Sequence, residues 1–413
     1  MNEQIKQRIT QLNKGEVPEG YEQTYFGIFP KDWETQKTLN DVADCYDGSH
    51  ETPTYTNDGV PFVSVENIRD IYATDKYISE KDFNEKYKLR PQKDDILMTR
   101  IGDVGTPALV TKNIPIAYYV SLSLIRPKAI NPKFLYSAIQ GNVIQKSLFE
   151  KTLHIAFPQK INLQDIGKCR LVCPKSMDEQ SKIAEILIKW DEAIELQEQH
   201  IQKITLKKKA YMDKFFCSRK EEKIKFKTLY TTAGEGGTPD TKKYEYYDSN
   251  DIPFVKIEHL LDKYITQIDS YISDLGLQKS GAWLIPENSL IFSNGATIGE
   301  ASINKIPVAT KQGILGIIPS SNIDIEYFYY LVKSKYFLSK VKKITTKGTM
   351  CTAYLKDIDK LKLYIHDTVK QKEISAFLSA IDDLIVAENE KLQHLKKQRK
   401  ALQQYLLNGI VRV

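Results

Sequence analysis

SKIAEILIKWDEAIELQEQHIQKITLKKKAYMDKFF, residues 181–216, carries its apolar side chains in a strict heptad. Ile183, Leu187, Trp190, Ile194, Gln197, Ile201, Ile204, Lys208, Tyr211 and Phe215 are spaced alternately by four and three. That spacing holds one narrow seam along a helix, as a coiled coil requires. The pattern returns 191 residues later in KEISAFLSAIDDLIVAENEKLQHLKKQRKALQQYLL, residues 372–407, with seam positions Ile374, Leu378, Ile381, Ile385, Glu388, Leu392, Leu395, Arg399, Leu402 and Leu406. The polar interruptions match too, Gln197 with Glu388 and Lys208 with Arg399. Two such helices in one chain predict an intramolecular pair. If they oppose in register, Arg399 lies level with Trp190 and sets its guanidinium over the indole.

The segments between the helices are also duplicated. Val60-Pro61-Phe62-Val63 is answered by Ile252-Pro253-Phe254-Val255, and Ile96-Leu97-Met98-Thr99 by Leu290-Ile291-Phe292-Ser293. Leu163 to Lys168 is answered by Leu355 to Lys360. The intervening loops, such as Tyr46 to Asn57 and Thr231 to Asn250, share little. A repeated frame with unlike loops predicts two modules of one architecture and different ligands. Within the first module, Val60 to Val65, Asp95 to Thr99, Leu122 to Ile125 and Cys169 to Cys173 read as strands, and Asn131 to Phe149 as one helix that starts after Pro132.

Composition limits the rest. The chain has 413 residues, 41% hydrophobic and 27% charged, enough for two or three domains with ordinary cores. No apolar run has the length of a membrane span, and five cysteines without framework spacing fit a reducing cytoplasm. A net charge of +6 permits nucleic acid as a partner without requiring it.

Several motifs together resemble the DNA-specificity subunit of type I restriction–modification systems. They are Pro18-Glu19-Gly20-Tyr21 with Pro30-Lys31-Asp32-Trp33; Glu179-Gln180-Ser181-Lys182-Ile183; Gly236-Gly237-Thr238-Pro239 running to Lys256; Ser289 to Gly295; Val369 to Ile374; and Leu406-Leu407-Asn408-Gly409. Two places depart from the pattern. Ser49-His50-Glu51-Thr52-Pro53 lacks the glycine pair, and His366-Asp367 replaces a strand-ending proline.

The resemblance implies an α/β (α+β) fold. Two target-recognition domains, 31–176 and 219–367, are joined by helices 177–218 and 368–413 in an antiparallel, pseudo-two-fold coiled coil, after a lead-in of residues 1–30. Residues 1–14 are expected against the C-terminal helix end, completing the second half. The implied protein is not an enzyme. It reads a bipartite site on double-stranded DNA and holds two methyltransferase subunits, with restriction subunits optional. It has no cofactor or metal of its own; S-adenosylmethionine belongs to the methyltransferase, ATP and magnesium to the restriction subunit. A specificity domain of a type II-like combined restriction and methylation enzyme is the alternative.

Rival chemistry finds little support. Asn131-Pro132-Lys133-Phe134 has lysine where a base-flipping methyltransferase needs a second proline, so a helix start is the better reading. There is no glycine-rich phosphate loop of the Gly-x-x-x-x-Gly-Lys type. Cys169 and Cys173 lack a nearby histidine and read as core. For DNA, Arg100 and Asn294 occupy equivalent strand ends, where base contact and turn capping are both open. Lys242, Lys243 and Tyr244 form a basic aromatic loop, suited to phosphates or simply solvated. Thr238 and Lys311 complete the candidate set. Ile183, Leu187, Trp190, Ile194, Ile374, Leu378, Ile381, Ile385 and Arg399 are the seam or partner candidates.

Overall fold

The computed structural model describes residues 3–217, 223–295, 297–346 and 351–413. The expected boundary at 218/219 lies outside them. Two compact units emerge: residues 1–197 with 391–413, and residues 198–390. The cut therefore falls within the long helices, Met177–Phe215 and Thr368–Leu407, and not at their ends.

In the first unit, an antiparallel sheet orders Ala43–Asp47, Leu122–Pro127, Ile96–Thr99 and Pro107–Leu109. A smaller sheet places Val60–Val63 between Tyr77–Ile78 and a parallel Ala117–Tyr118. The expected single helix at 131–149 is two, Pro132–Ile139 and Asn142–Lys151. Gly141 separates them, and a Cβ there would meet Leu407 at 2.8 Å. The strand expected at 169–173 shrinks to Cys173–Pro174, paired with Trp33–Glu34.

The second unit repeats this plan. Its main sheet orders Tyr230–Glu235, Ile314–Pro319, Leu290–Ser293, Ala301–Asn304 and Tyr264–Ile265. Ile252–Val255 lies between Tyr271–Ile272 and a parallel Ala309–Thr310. Helices Ile325–Lys333 and Lys335–Ile344 follow.

Each unit's core takes in segments of both long helices. Ile183, Leu187, Leu406 and Leu407 pack with Trp33 and Phe134 in the first, and Met212, Phe215, Ile374 and Leu378 with Phe226 and Tyr327 in the second. The heptad faces inward: of its twenty positions nine are buried, ten are half-buried and only Tyr211 is exposed. Within each unit the helix segments run in opposite senses. Asp191 pairs with Arg399 and Glu179 with Arg412 in the first; Lys208 pairs with Asp382 and Tyr211 stacks edge-on to Phe377 in the second. Arg399 thus sits one residue from its expected level, and an ion pair replaces the expected indole contact. Asp191 accepts from Arg399 Nε at 2.8 Å and Nη2 at 2.9 Å, because a carboxylate binds a guanidinium fork in two places.

The motif residues behind the resemblance prove to be joints. Gln180 Oε1 accepts from the Asn131 backbone N–H at 2.9 Å while its amide donates to Pro174 O at 2.8 Å. Gln371 does the same with Asp324 and His366, at 2.9 and 2.8 Å, so His366 fills the role of the missing proline through its carbonyl. Asn131 Oδ1 caps its helix by accepting from Phe134 N–H, and Asp324 caps the counterpart. The helix-start reading of Asn131-Pro132 holds on that geometry, and the cap survives in the repeat although the sequence there differs.

Gly409, in the left-handed region at φ +66°, ends the last helix against Pro30 and Trp33. Tyr21 donates to its carbonyl, and Arg412 reaches both Asp32 and Glu179. Helix Glu3–Asn13 does lie by the C-terminal helix end, through Arg8 and the Ile410 carbonyl, but within the unit of the first module and not the second.

Candidate nucleic-acid interface

One end of the main sheet in the second unit carries the basic loop. Gly236 N–H donates to Ile314 O, and a Cβ at Gly236 would lie 2.0 Å from Thr310 O. Gly237 presses as closely on Gly281. No side chain fits, which is why two glycines precede Thr238. Tyr247 donates to Pro239 O at 2.7 Å, and Asp240 Oδ1 accepts from Lys242 N–H at 3.0 Å, closing the loop on itself. Thr238, Lys242, Lys243, Tyr244 and Lys311 are all exposed, Tyr244 at 80%. Gln312 N–H reaches Thr238 Oγ1, so Lys311 and the loop border one surface. The fold thus brings five of the seven DNA candidates together; Lys243 Nζ donates to Tyr246 OH at 3.2 Å, and the exposed charges and the Tyr244 ring suit a phosphate backbone.

The other two fail as base readers. Arg100 is 8% exposed; its guanidinium pairs with Asp47 and donates to Ile161 O. Asn294 is fully buried and donates to Ala353 O. Both also accept a backbone hydrogen bond, from Ile161 and Ala353, residues 192 apart. The strand ends were correctly matched, but their job is to tie the returning chain to the sheet. Capping was the right alternative: Arg100 is spent on inward partners, and Asn294, although its Oδ1 accepts no hydrogen bond, is too deeply buried to reach a groove.

In the first unit Gly48 does what Gly236 does. A Cβ there would lie 2.4 Å from Tyr119 O, and Ser49 N–H donates to Tyr118 O. The apparent loss of the glycine pair is therefore a displacement of one glycine, which a Thr-Pro alignment conceals. The loop it launches carries His50 bonded to Asp47 at 3.0 Å where the second unit has lysines.

The cysteine reading stands. Burial pushes the thiols of Cys169 and Cys173 up to about 11, away from the thiolate that metals and electrophiles need. No helix among the described residues is long and apolar enough to cross a membrane.

A family model for the type I restriction modification DNA specificity domain matches the chain twice, over residues 30–206 and 221–397. The chain belongs to this family. It is 25% identical over 428 residues to the type I restriction enzyme MjaIX specificity subunit of Methanocaldococcus jannaschii, spanning 95% of this chain and 96% of that protein. Against the EcoR124I/EcoR124II specificity subunit of Escherichia coli the identity is 26% over 257 residues, 58% of this chain and 61% of the relative. In fold it resembles the S subunit of M. genitalium, with a TM-score of 0.54 at 17% identity over 91% of this chain and 96% of that one. A chain solved in work on assembly and conformational transition of the type I R-M system gives 0.61 at 14% identity, over 93% and 99%. These findings favour a specificity subunit of a type I restriction–modification system over a self-contained modifying enzyme.

Proposed function

We propose that each module of this specificity subunit reads one half of a bipartite duplex site, and that the long helices form one antiparallel coiled coil that sets the distance between the halves. The observation that carries this reading is the contrast between equal glycine joints, Gly48 and Gly236, and unequal loops launched from them. A common frame with different exposed chemistry is what reading two different half-sites demands. The coiled coil is supported by the two ion pairs: Asp191 and Asp382 are 191 residues apart, as are Lys208 and Arg399, so one register serves both.

The chain supplies recognition and no catalysis. Two methyltransferase subunits dock on it and bring S-adenosylmethionine; a restriction subunit brings ATP and magnesium. Such internal two-fold symmetry suits two like partners. The complex works in the cytoplasm, where five unpaired cysteines stay reduced.

The test is a domain exchange. Replacing residues 31–176 by the first module of another family member, then sequencing the methylome of the host, should alter one half of the site and leave the other intact. A change in both halves would refute the two-module reading.

A further inference from the structure

Between Asn142–Lys151 and the return of the chain at Ile161, the first unit extends a loop whose apolar side chains point outward. Ile155 and Phe157 are fully exposed, Phe149 is largely so and Leu153 partly. The backbone beneath them is pinned. Leu153 N–H donates to Lys160 O at 2.8 Å and Ala156 N–H to Leu153 O at 3.3 Å. Gly102 and Gln159 exchange two bonds, Gly102 N–H to Gln159 O at 2.8 Å and Gln159 Nε2 to Gly102 O at 3.0 Å. His154 packs its ring on Phe149 at 4.5 Å and bonds that residue's carbonyl. A hollow of about 340 Å³ at the foot of the loop, lined by Leu148, Phe149 and His154, is not used to shelter either side chain. Two large apolar groups held out on a braced stem call for an occupant.

The surroundings indicate which. Arg100, at the strand end beside this loop, bonds Ser121 O, Ile161 O and Asp47, and Ser49 bonds Tyr118 and Val120. The loop therefore stands at the same end of the sheet as Gly48–Pro53, the counterpart of the basic loop in the second unit. From Lys151 to Lys160 it carries two lysines and a histidine and no carboxylate, a charge balance that favours phosphates over an acidic partner surface. At the 192-residue offset the second module has Lys347 for Ile155 and Thr349 for Phe157; that stretch lies outside the described residues.

We propose that Ile155 and Phe157 form an apolar wedge that enters an opened base step of duplex DNA in or beside the half-site read by the first module. Apolar side chains inserted between base pairs unstack the step and kink the duplex, while flanking cations hold the backbone. By sequence the wedge belongs to the first module alone, so the distortion is one-sided. This rests on the two-module reading proposed above and adds a deformation to it.

The experiment uses the full chain assembled with its methyltransferase partner, on a duplex bearing the site found in the methylome. 2-Aminopurine replaces one base at a time across both half-sites and their flanks. Fluorescence should rise at one step of the first half or its edge on binding, and the Phe157→Trp variant should retain that rise. The Ile155→Ala/Phe157→Ala double variant should abolish it and weaken binding by about ten- to a hundredfold, with the methylated sequence unchanged. A rise that survives in the double variant, or that no position shows, overturns the wedge. So does loss of the methyltransferase subunits from the double variant before DNA is added, which would assign the loop to a pocket on that protein. The domain exchange reads separately: if it redirects one half-site while these variants change nothing, the wedge fails and the two-module reading stands.

Discussion

The two units close their helix seams with the same pair of positions and different neighbours. In the first, Asp191 binds Arg399, whose third nitrogen reaches Gln403 at 2.5 Å, and Gln403 donates to Ser137 O. In the second, Asp382 binds Lys208, and the hydroxyl of Tyr330 donates to the same carboxylate at 2.6 Å. Around it Lys263, Glu326, Tyr264 and Ser379 form a further polar cluster. Tyr330 stands where the first unit has Ser137, at an offset of 193, and Glu326 where it has Lys133. A larger, hydroxyl-bearing residue thus replaces the reach of an arginine. Duplicated seams diverge by changing which side chain crosses the gap while the half-buried acid stays in place.

The most drastic way to break the comparison is to shorten both helices together. Deleting one heptad from each removes ~10 Å of rod and rotates its ends. Methylation of a library of spacer lengths should show a changed spacer, or no binding, with the half-site bases unaltered. An active mutant with its original spacer would mean that the rod does not set the distance.

Substituting the crossing cations separates the two seams. Arg399→Met leaves Gln403 without its donor and Asp191 with solvent alone, and should cost about 2–3 kcal/mol in denaturant unfolding. Lys208→Met leaves Asp382 with Tyr330 and should cost less, about 1–2 kcal/mol. Equal losses would show that the tyrosine contributes nothing to its seam.

The glycine joints offer a matched pair of smaller changes. Gly236→Ala and Gly48→Ala each force a Cβ into a backbone carbonyl, so each should displace its own loop at about 1–3 kcal/mol. Binding to duplexes mutated in one half at a time should show specificity blurred only in the half read by the altered module.

The mildest effect is in acid. Burial pushes the Glu326 carboxyl up, but hydrogen bonds from Ser379, Tyr264 and Lys263 outweigh it and leave it below the ordinary value. A depressed carboxyl contributes stability above its unfolded pKa of about 4.3 and loses it as pH falls through the folded value. Glu326→Gln should therefore flatten the stability–pH profile of the second unit below about pH 4.5. An unchanged acid limb would show that the cluster does not tune stability there.

The heptad, the duplication and the family motifs were legible because each is a local repetition. A seam needs only spacing, and the twenty positions named from it are buried or half-buried, Tyr211 aside. The loop candidates Lys242, Lys243 and Tyr244 were legible as well, since a polar loop between strands has nowhere to go but outward. Arg100 and Asn294 misled because residue type reports what a side chain bonds, not which way it points. Ile155 and Phe157 gave no signal at all: two apolar residues in a short loop read as core until a fold leaves them outside.

What the chain by itself determined is therefore everything carried by period and by offset: two long helices, two like modules, and the family they belong to. Only the tertiary structure decided which polar residues are spent inside. Arg100 meets Asp47 across 53 residues and Arg399 meets Asp191 across 208, and no local pattern encodes so distant a partner. A charged side chain can serve either a groove or a core. The choice depends on whether a carboxylate and a carbonyl arrive from elsewhere in the chain to offset its desolvation.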